Sequence, residues 1–257
     1  MNKFLLSSFL FVIMATAFAQ SKYPIKLVLL ERVSSGIKVG SKVPMLVAQD
    51  VKDKSGKVVI KADTSAYADV VVSRKSGTIS NVLATPARLE LKFENTFSAG
   101  KKPLSLESSS GTDFLVLNRK NTSEMPRDPK VEAAWKNPQQ RELIENLVSC
   151  YTANSPCALS AQQASLLQQN ASSLSLTNTA QLCQSGHFSV LNGFMTSLRS
   201  GSNFVCPAGV ELATVCSCAV EVANLCHRSS GYLGGRFAGR NIVAEPGTEI
   251  EAVVVGP

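Results

Sequence analysis

The chain has 257 residues, 44% of them hydrophobic and 18% charged, with 26 Lys and Arg against 19 Asp and Glu and a formal net charge of +7. That is enough to bury a sizeable core, in one large domain or two small ones. Four Tyr and one Trp are present and no aromatics interleave with the basic residues, which argues against a specific nucleic-acid surface.

Met1 to Ala19 reads as a secretory signal. Lys3 supplies the positive start, Phe4 to Met14 the apolar run, and Ala17-Phe18-Ala19 the small-x-small cleavage site. The mature chain is then expected to begin at Gln20 and to be exported, periplasmic or secreted. No Cys follows the site, which speaks against a lipoprotein. No later stretch reaches about 18 uninterrupted apolar residues, so no transmembrane segment is expected in the mature chain. The basic excess sits in residues 20–118, with 15 Lys and Arg against 9 Asp and Glu. It favours weak contact with anionic surfaces, a solvated basic face being the simpler reading.

Residues 23–118 read as β throughout. Ile25, Leu27 and Leu29 alternate with Lys26, Val28 and Leu30; Val43, Met45 and Val47 follow the turn at Gly40-Ser41. Lys52 to Lys57 forms a charged hairpin tip around Ser55-Gly56. Leu89, Leu91 and Phe93 alternate with Arg88, Glu90, Lys92 and Glu94, the pattern of a strand with one wet face. Gly100-Lys101-Lys102 turns the chain into Leu104 and Leu106, and Phe114 to Leu117 is a further apolar run. Short strands at this spacing predict a sandwich or barrel.

The last β-like stretch, Arg240 to Val255, repeats an earlier one. Val58-Val59 matches Ile242-Val243, Asp63-Thr64 matches Gly247-Thr248, and Ala68-Asp69-Val70-Val71 matches Ala252-Val253-Val254-Val255, at a separation of 184 residues. Each copy is a strand, a tight turn closing on Thr, and a second strand. Both chain ends are therefore expected to build one β body closed by the C-terminal strands, with the residues between them leaving that body and returning.

Several turns carry a recognisable pattern: Lys38-Val39-Gly40, Gln49-Asp50-Val51, Gly56-Lys57-Val58-Val59-Ile60, Gly239-Arg240-Asn241 and Pro246-Gly247-Thr248. On these, residues 23–106 joined to 236–255 resemble a small β-barrel domain of exported bacterial proteins of unknown function, similar also to the barrel of the scaffold subunit of type IV secretion systems. The matched positions Gly40, Asp50, Gly56, Thr64, Asn241, Gly247 and Thr248 are structural turn residues. Asp63 and Ala68 depart from the pattern, where the family usually carries Gly, and residues between Leu117 and Arg236 have no match. The resemblance implies a fold and a compartment and brings no catalytic residues.

The middle segment, 119–235, differs in composition: Asn146 to Leu198 is 53 residues without Asp, Glu, Lys or Arg. Asp128-Pro129 predicts a short helix ended by Pro138, and Asn137-Pro138 starts the next, with Gln140 at a capping-box position. Leu143, Ile144, Leu147, Val148 and Tyr151 share one helical face. Ser160 to Gln163 is a second capping box, leading to Ala164, Leu167 and Ala171. Phe188, Leu191, Phe194, Met195 and Leu198 form a third apolar stripe. Val210 to Cys226 fits helix or strand, and the helical neighbours favour helix.

All seven cysteines, Cys150, Cys157, Cys183, Cys206, Cys216, Cys218 and Cys226, lie in this segment. In an exported protein disulfides are the expected state, Cys150 with Cys157 being the best pair and one thiol being left over. Zinc held by Cys183, His187, Cys226 and His227 is the competing reading, and export argues against it. A Cys–His nucleophile needs an activated thiolate beside its base, and no orienting acid is evident. The glycines at 231, 234, 235 and 239 match no phosphate loop, and no cofactor is indicated.

The expected architecture is α+β: a small β-barrel or sandwich of residues 20–118 plus 236–257, closed by the C-terminal strands, with a disulfide-stapled α-helical insertion at 119–235. The expected function is a non-enzymatic envelope protein whose insert binds a protein partner. The alternative is a Cys-dependent hydrolase or redox enzyme with its site in the insert.

Overall fold

In the computed structural model of the chain, residues 22–75, 87–117, 128–152, 157–229 and 241–255 are described. The signal-like segment and the glycines at 231, 234, 235 and 239 lie outside them, as do both junctions of the expected insertion.

The β region contains β1 (Lys22–Leu29), β2 (Val33–Ser34), β3 (Lys42–Val47), β4 (Val51–Lys52), β5 (Val58–Ile60), β6 (Ser65–Arg74), β7 (Arg88–Phe93), β8 (Asn95–Phe97), β9 (Pro103–Ser108), β10 (Phe114–Leu117), β11 (Val243–Ala244) and β12 (Glu249–Val255). Eight of them form one curled half-barrel sheet in the order β10-β7-β6-β3-β1-β12-β9-β8; β11 pairs with β2 and β4 with β5. Both chain ends thus build one sheet. The C-terminal strand is not its seam, however: β12 lies inside the sheet, pairing with β1 from Lys22↔Val255 to Val28↔Glu249 and with β9 on its other side. The two ends of the sheet approach through a bent strand. β7 and β8 are separated only by Glu94, yet β7 pairs with β6 while β8 pairs with β9.

The internal repeat is realised bond for bond. Val47 N–H donates to the Thr64 carbonyl (3.0 Å) and Asp63 N–H to the Val47 carbonyl (2.9 Å); in the second copy Leu29 N–H donates to the Thr248 carbonyl (3.0 Å) and Gly247 N–H to the Leu29 carbonyl (2.7 Å). Each closing Thr hydroxyl folds back onto the carbonyl three residues earlier, Thr64 onto Lys61 (2.8 Å) and Thr248 onto Glu245 (2.7 Å). The turn needs a left-handed residue before the Thr, and Asp63 (φ 62°) and Gly247 (φ 86°) supply it. The other singled-out turns are local. Gly40 and Gly56 have φ of 84° and 85°. The Asp50 carboxylate accepts from Ala62 N–H at 2.8 Å. Asn241 leads into Ile242, whose N–H donates to the Ser35 hydroxyl at 3.0 Å.

Among the described residues the helices are α1 (Pro129–Lys136), α2 (Pro138–Thr152), α3 (Ala161–Leu174), α4 (Thr177–Gln184), α5 (Val190–Ser200) and α6 (Leu212–Ser229). The ambiguous stretch at 210–226 is therefore helical. Asp128 caps α1 by accepting from Lys130 N–H at 2.8 Å, and Ser160 and Gln163 form the full reciprocal capping box of α3. The box expected at α2 is only half made. Asn137 accepts from Gln139 and Gln140 N–H, but the Gln140 side chain turns away to Asn170 (2.9 Å), where a tertiary partner is within reach.

Among the described residues the apolar side chains gather into two cores. One fills the sheet interior with Ile25, Leu27, Met45, Val47, Ile60, Leu89, Leu91, Ile250 and Val254 among others. The second is formed by the helices and includes Leu30 and Leu46 from the sheet. This explains why β1 and β3 break the expected alternation. Val28, Leu30 and Leu46 are as buried as their neighbours because helices cover the outer face there. The Tyr151 hydroxyl, at the end of α2, donates to the Leu30 carbonyl at 2.6 Å, tying the helical layer to the sheet.

The expected staples are not formed in this structure. All seven cysteines are free thiols, with no two bonded, and the helical layer is held by apolar packing and polar ties between elements.

Candidate functional site

A cleft of about 990 Å³ runs between the sheet and the helices. The sheet wall is supplied by Lys42 at the start of β3, Asp63, Ser65 and Tyr67 in and before β6, and Glu94, Asn95 and Phe97 around β8. The helical wall is supplied by Phe194 and Leu198 of α5, the turn from Ser200 to Phe204, and Leu212 and Cys216 of α6. The turn forms because Gly201 takes the left-handed conformation (φ 66°) that ends α5, which carries Phe204 back onto Phe194. Their rings meet edge to face with centroids 5.4 Å apart.

The two walls differ in chemistry. On the sheet side Lys42 Nζ donates to both Glu94 oxygens, at 2.7 and 2.9 Å, and stands 5.9 Å from the centroid of the Tyr67 ring. The bond to Glu94 raises the Lys42 pKa, while burial raises those of Tyr67 and Asp69. Asp63 accepts from the Ser217 hydroxyl of α6 at 3.2 Å, and its carboxyl is raised by burial more than that bond lowers it. Both walls also carry uncovered apolar side chains: Phe97 on the sheet side is 46% exposed and Leu212 on the helical side 49%. The cleft thus combines a fixed ion pair on the sheet wall with uncovered apolar side chains on both walls.

Of the cysteines only Cys216 lines this cleft, and burial, with Asp63 as a secondary cause, pushes its thiol up to about 12. Burial pushes Cys218 up to about 12 as well, and raises Cys157, Cys183, Cys206 and Cys226. Thiolate chemistry needs the opposite shift. His227 is held below the ordinary histidine range by burial, and its Nδ1 lies 3.5 Å from the Thr248 hydroxyl. Among the described residues no group of three or more His, Cys, Asp and Glu is placed to hold a metal, so Cys183, His187, Cys226 and His227 are not gathered into one site.

Most of the turn residues singled out in the sequence set the shape of the sheet, and two touch the site or its supports. Thr64 follows Asp63 at the cleft, and Gly247 lies against α6, the helix that borders the cleft at its other end. Sequence reading did not find Lys42, Tyr67, Glu94 and Phe97 as one wall. Their only signal was an apolar Phe97 and Phe204 in otherwise polar connecting segments.

Searches against protein-family models and against curated proteins find no match to this chain.

Proposed function

We propose that this chain is a non-enzymatic exported protein, periplasmic or secreted, in which the curled sheet is a scaffold and the cleft between sheet and helices receives a segment of a protein partner. The cleft is the observation that carries the reading: exposed Phe97 and Leu212 on a rim otherwise set by the Lys42–Glu94 pair. Buried apolar anchors beside a fixed polar pair give affinity and register respectively. The raised thiols support a binding role over a Cys-dependent one. The domain assignment that goes with it is residues 20–118 plus 236–257 as scaffold and 119–235 as insertion, with the small exported barrel domain as the resembling fold. Export rests on the reading of Met1 to Ala19; among the described residues no helix is long and apolar enough to cross a membrane.

The test is a paired substitution, Phe97→Ser with Leu212→Ser. Both side chains are about half exposed, so thermal unfolding should move little, whereas capture of the partner from native envelope extracts should fall at least about tenfold, as loss of two anchors predicts. Undiminished capture by a folded double variant would remove the cleft from the proposal.

A further inference from the structure

We propose that one end of the sheet is a docking surface for an anionic phospholipid bilayer, formed by two lysine-bearing hairpins that the fold ties together. The first hairpin joins β4 to β5. It is closed by Asp53 N–H donating to the Lys57 carbonyl (2.9 Å) and Gly56 N–H to the Asp53 carbonyl (3.0 Å). The second joins β8 to β9. It is closed by Ser98 N–H donating to the Lys102 carbonyl and Lys101 N–H to the Ser98 carbonyl, both at 2.8 Å. Ala99 N–H then donates to the Val59 carbonyl at 2.8 Å, which joins the two hairpins. Lys57 and Lys61 flank Val59, Lys101 and Lys102 follow Ala99, and Lys52 pairs with Val58. With Lys54 in the first tip, these lysines surround one backbone bond, and all of them are exposed.

The charge there is uncompensated. Lys22, Lys26 and Lys42 on the strands of the sheet each hold a glutamate, Glu107, Glu249 and Glu94. Among the described residues none of the lysines of this cluster has an ion-pair partner. The carboxylates nearest in sequence are turned onto other donors. Asp50 accepts from Ala62 N–H (2.8 Å), Asp53 from the N–H groups of Ser55 (2.8 Å) and Lys57 (3.0 Å), and Asp63 from the Ser217 hydroxyl (3.2 Å). Lys101 takes the left-handed conformation (φ 61°) that a glycine would adopt without strain, so the charge is kept there at a conformational cost. The chemistry selects the partner. Ammonium groups without a guanidinium are hydrated point charges that lack the planar fork for bidentate recognition, and neither tip carries an aromatic side chain on which a base could stack. A plane of anionic headgroups presents charge to every exposed lysine without requiring fixed positions, the use to which clusters of about 4–8 basic residues are suited. None of these lysines lines the cleft, so the surface does not rest on the partner reading given above.

The test is co-sedimentation with vesicles of phosphatidylcholine, alone or mixed with phosphatidylglycerol. The chain used begins at Gln20, which retains every described residue and omits the apolar run Phe4 to Met14 that would itself enter lipid. It should bind the mixed vesicles and not phosphatidylcholine alone, and should be released as salt rises from about 0.05 to about 0.3 M and the charges are screened. Lys54→Gln with Lys57→Gln, and Lys101→Gly with Lys102→Gln, should each weaken binding by about tenfold or more, from about fivefold per lysine, with unfolding midpoints that do not fall. Lys130→Gln with Lys136→Gln removes the same charge from α1 and should change nothing. Vesicle binding should also survive Phe97→Ser with Leu212→Ser; its loss there would place the contact in the cleft and overturn the proposal. Equal binding to both vesicle types, an equal loss in the α1 control, or retention on heparin or duplex DNA with none on vesicles overturns it as well.

Discussion

Gly247 and Gly56 have almost the same backbone conformation, φ 86° and 85°, and very different surroundings. A Cβ on Gly56 would meet nothing within 4 Å, whereas one on Gly247 would lie 2.5 Å from the Ala223 carbonyl oxygen of α6. Gly56→Ala should therefore cost only the left-handed strain, about 1–2 kcal/mol, while Gly247→Ala adds a collision with helix backbone worth about 1–3 kcal/mol more. Denaturant midpoints of the two variants measure the difference, and equal losses would mean that α6 does not press on the turn. His227, at the far end of the same helix, gives a pH dependence. Burial depresses its folded-state value, with Glu249 opposing and Arg228 adding to the shift. Its contribution to stability is present above the ordinary histidine value of about 6.5 and is lost as the pH falls through the depressed folded value, because the unfolded chain takes up the proton first. His227→Gln should flatten the pH profile of stability in that window; an unchanged profile would place the titration elsewhere.

At the level of elements, α6 organises the molecule. Near its start Ser217 holds Asp63 of the first repeat turn; further on, its backbone lies against Gly247 of the second. Between them Glu221 caps α4, accepting from Asn178 N–H (3.0 Å) and Nδ2 (2.9 Å) and from Thr179 N–H and Oγ1 (both 2.8 Å). That carboxylate serves where α4 has no side-chain cap of its own. Glu221→Ala should cost about 2–3 kcal/mol, the scale for hydrogen bonds to a charged group at a partly buried site, and should speed amide exchange at Asn178 and Thr179 first. The contrast with α3 shows what a sequence can reveal. The Ser160–Gln163 box is legible because its members are three residues apart and in chain order. The Glu221 cap is not, because nothing local marks a side chain that comes from 42 residues away. The repeat was legible for a related reason: a left-handed residue before Thr is a backbone demand, and backbone demands leave marks in composition. The walls of the cleft, which depend on how layers pack, leave only the isolated Phe97 and Phe204.

At the scale of the whole molecule, the strand interior to the sheet and the helical layer carry different loads. Removing 245–257 strips β12 from both β1 and β9 and uncovers Ile250 and Val254, each worth about 1.5–3 kcal/mol when buried, on the order of a domain's whole stability in sum with the lost ladders. That truncation should abolish the β-sheet circular dichroism signal. Replacing 121–234 with a Gly/Ser linker should leave the sheet folded, since a long loop adds little closure entropy, although Leu30 and Leu46 then face water and the midpoint falls. An unfolded linker variant beside a native truncation would mean that the sheet is not the independent scaffold. The claim that matters most is that the cleft receives a partner, and in-cell photo-crosslinking tests it most directly. A photoreactive side chain at Phe97 or Leu212 should give a protein adduct in the native envelope. The same probe at Lys130 should give none, because α1 is tied by Asp128 to Arg228 near the far end of α6, about 24 Å along the helix from Leu212. Adducts from Lys130 with none from Phe97 or Leu212 would contradict the account.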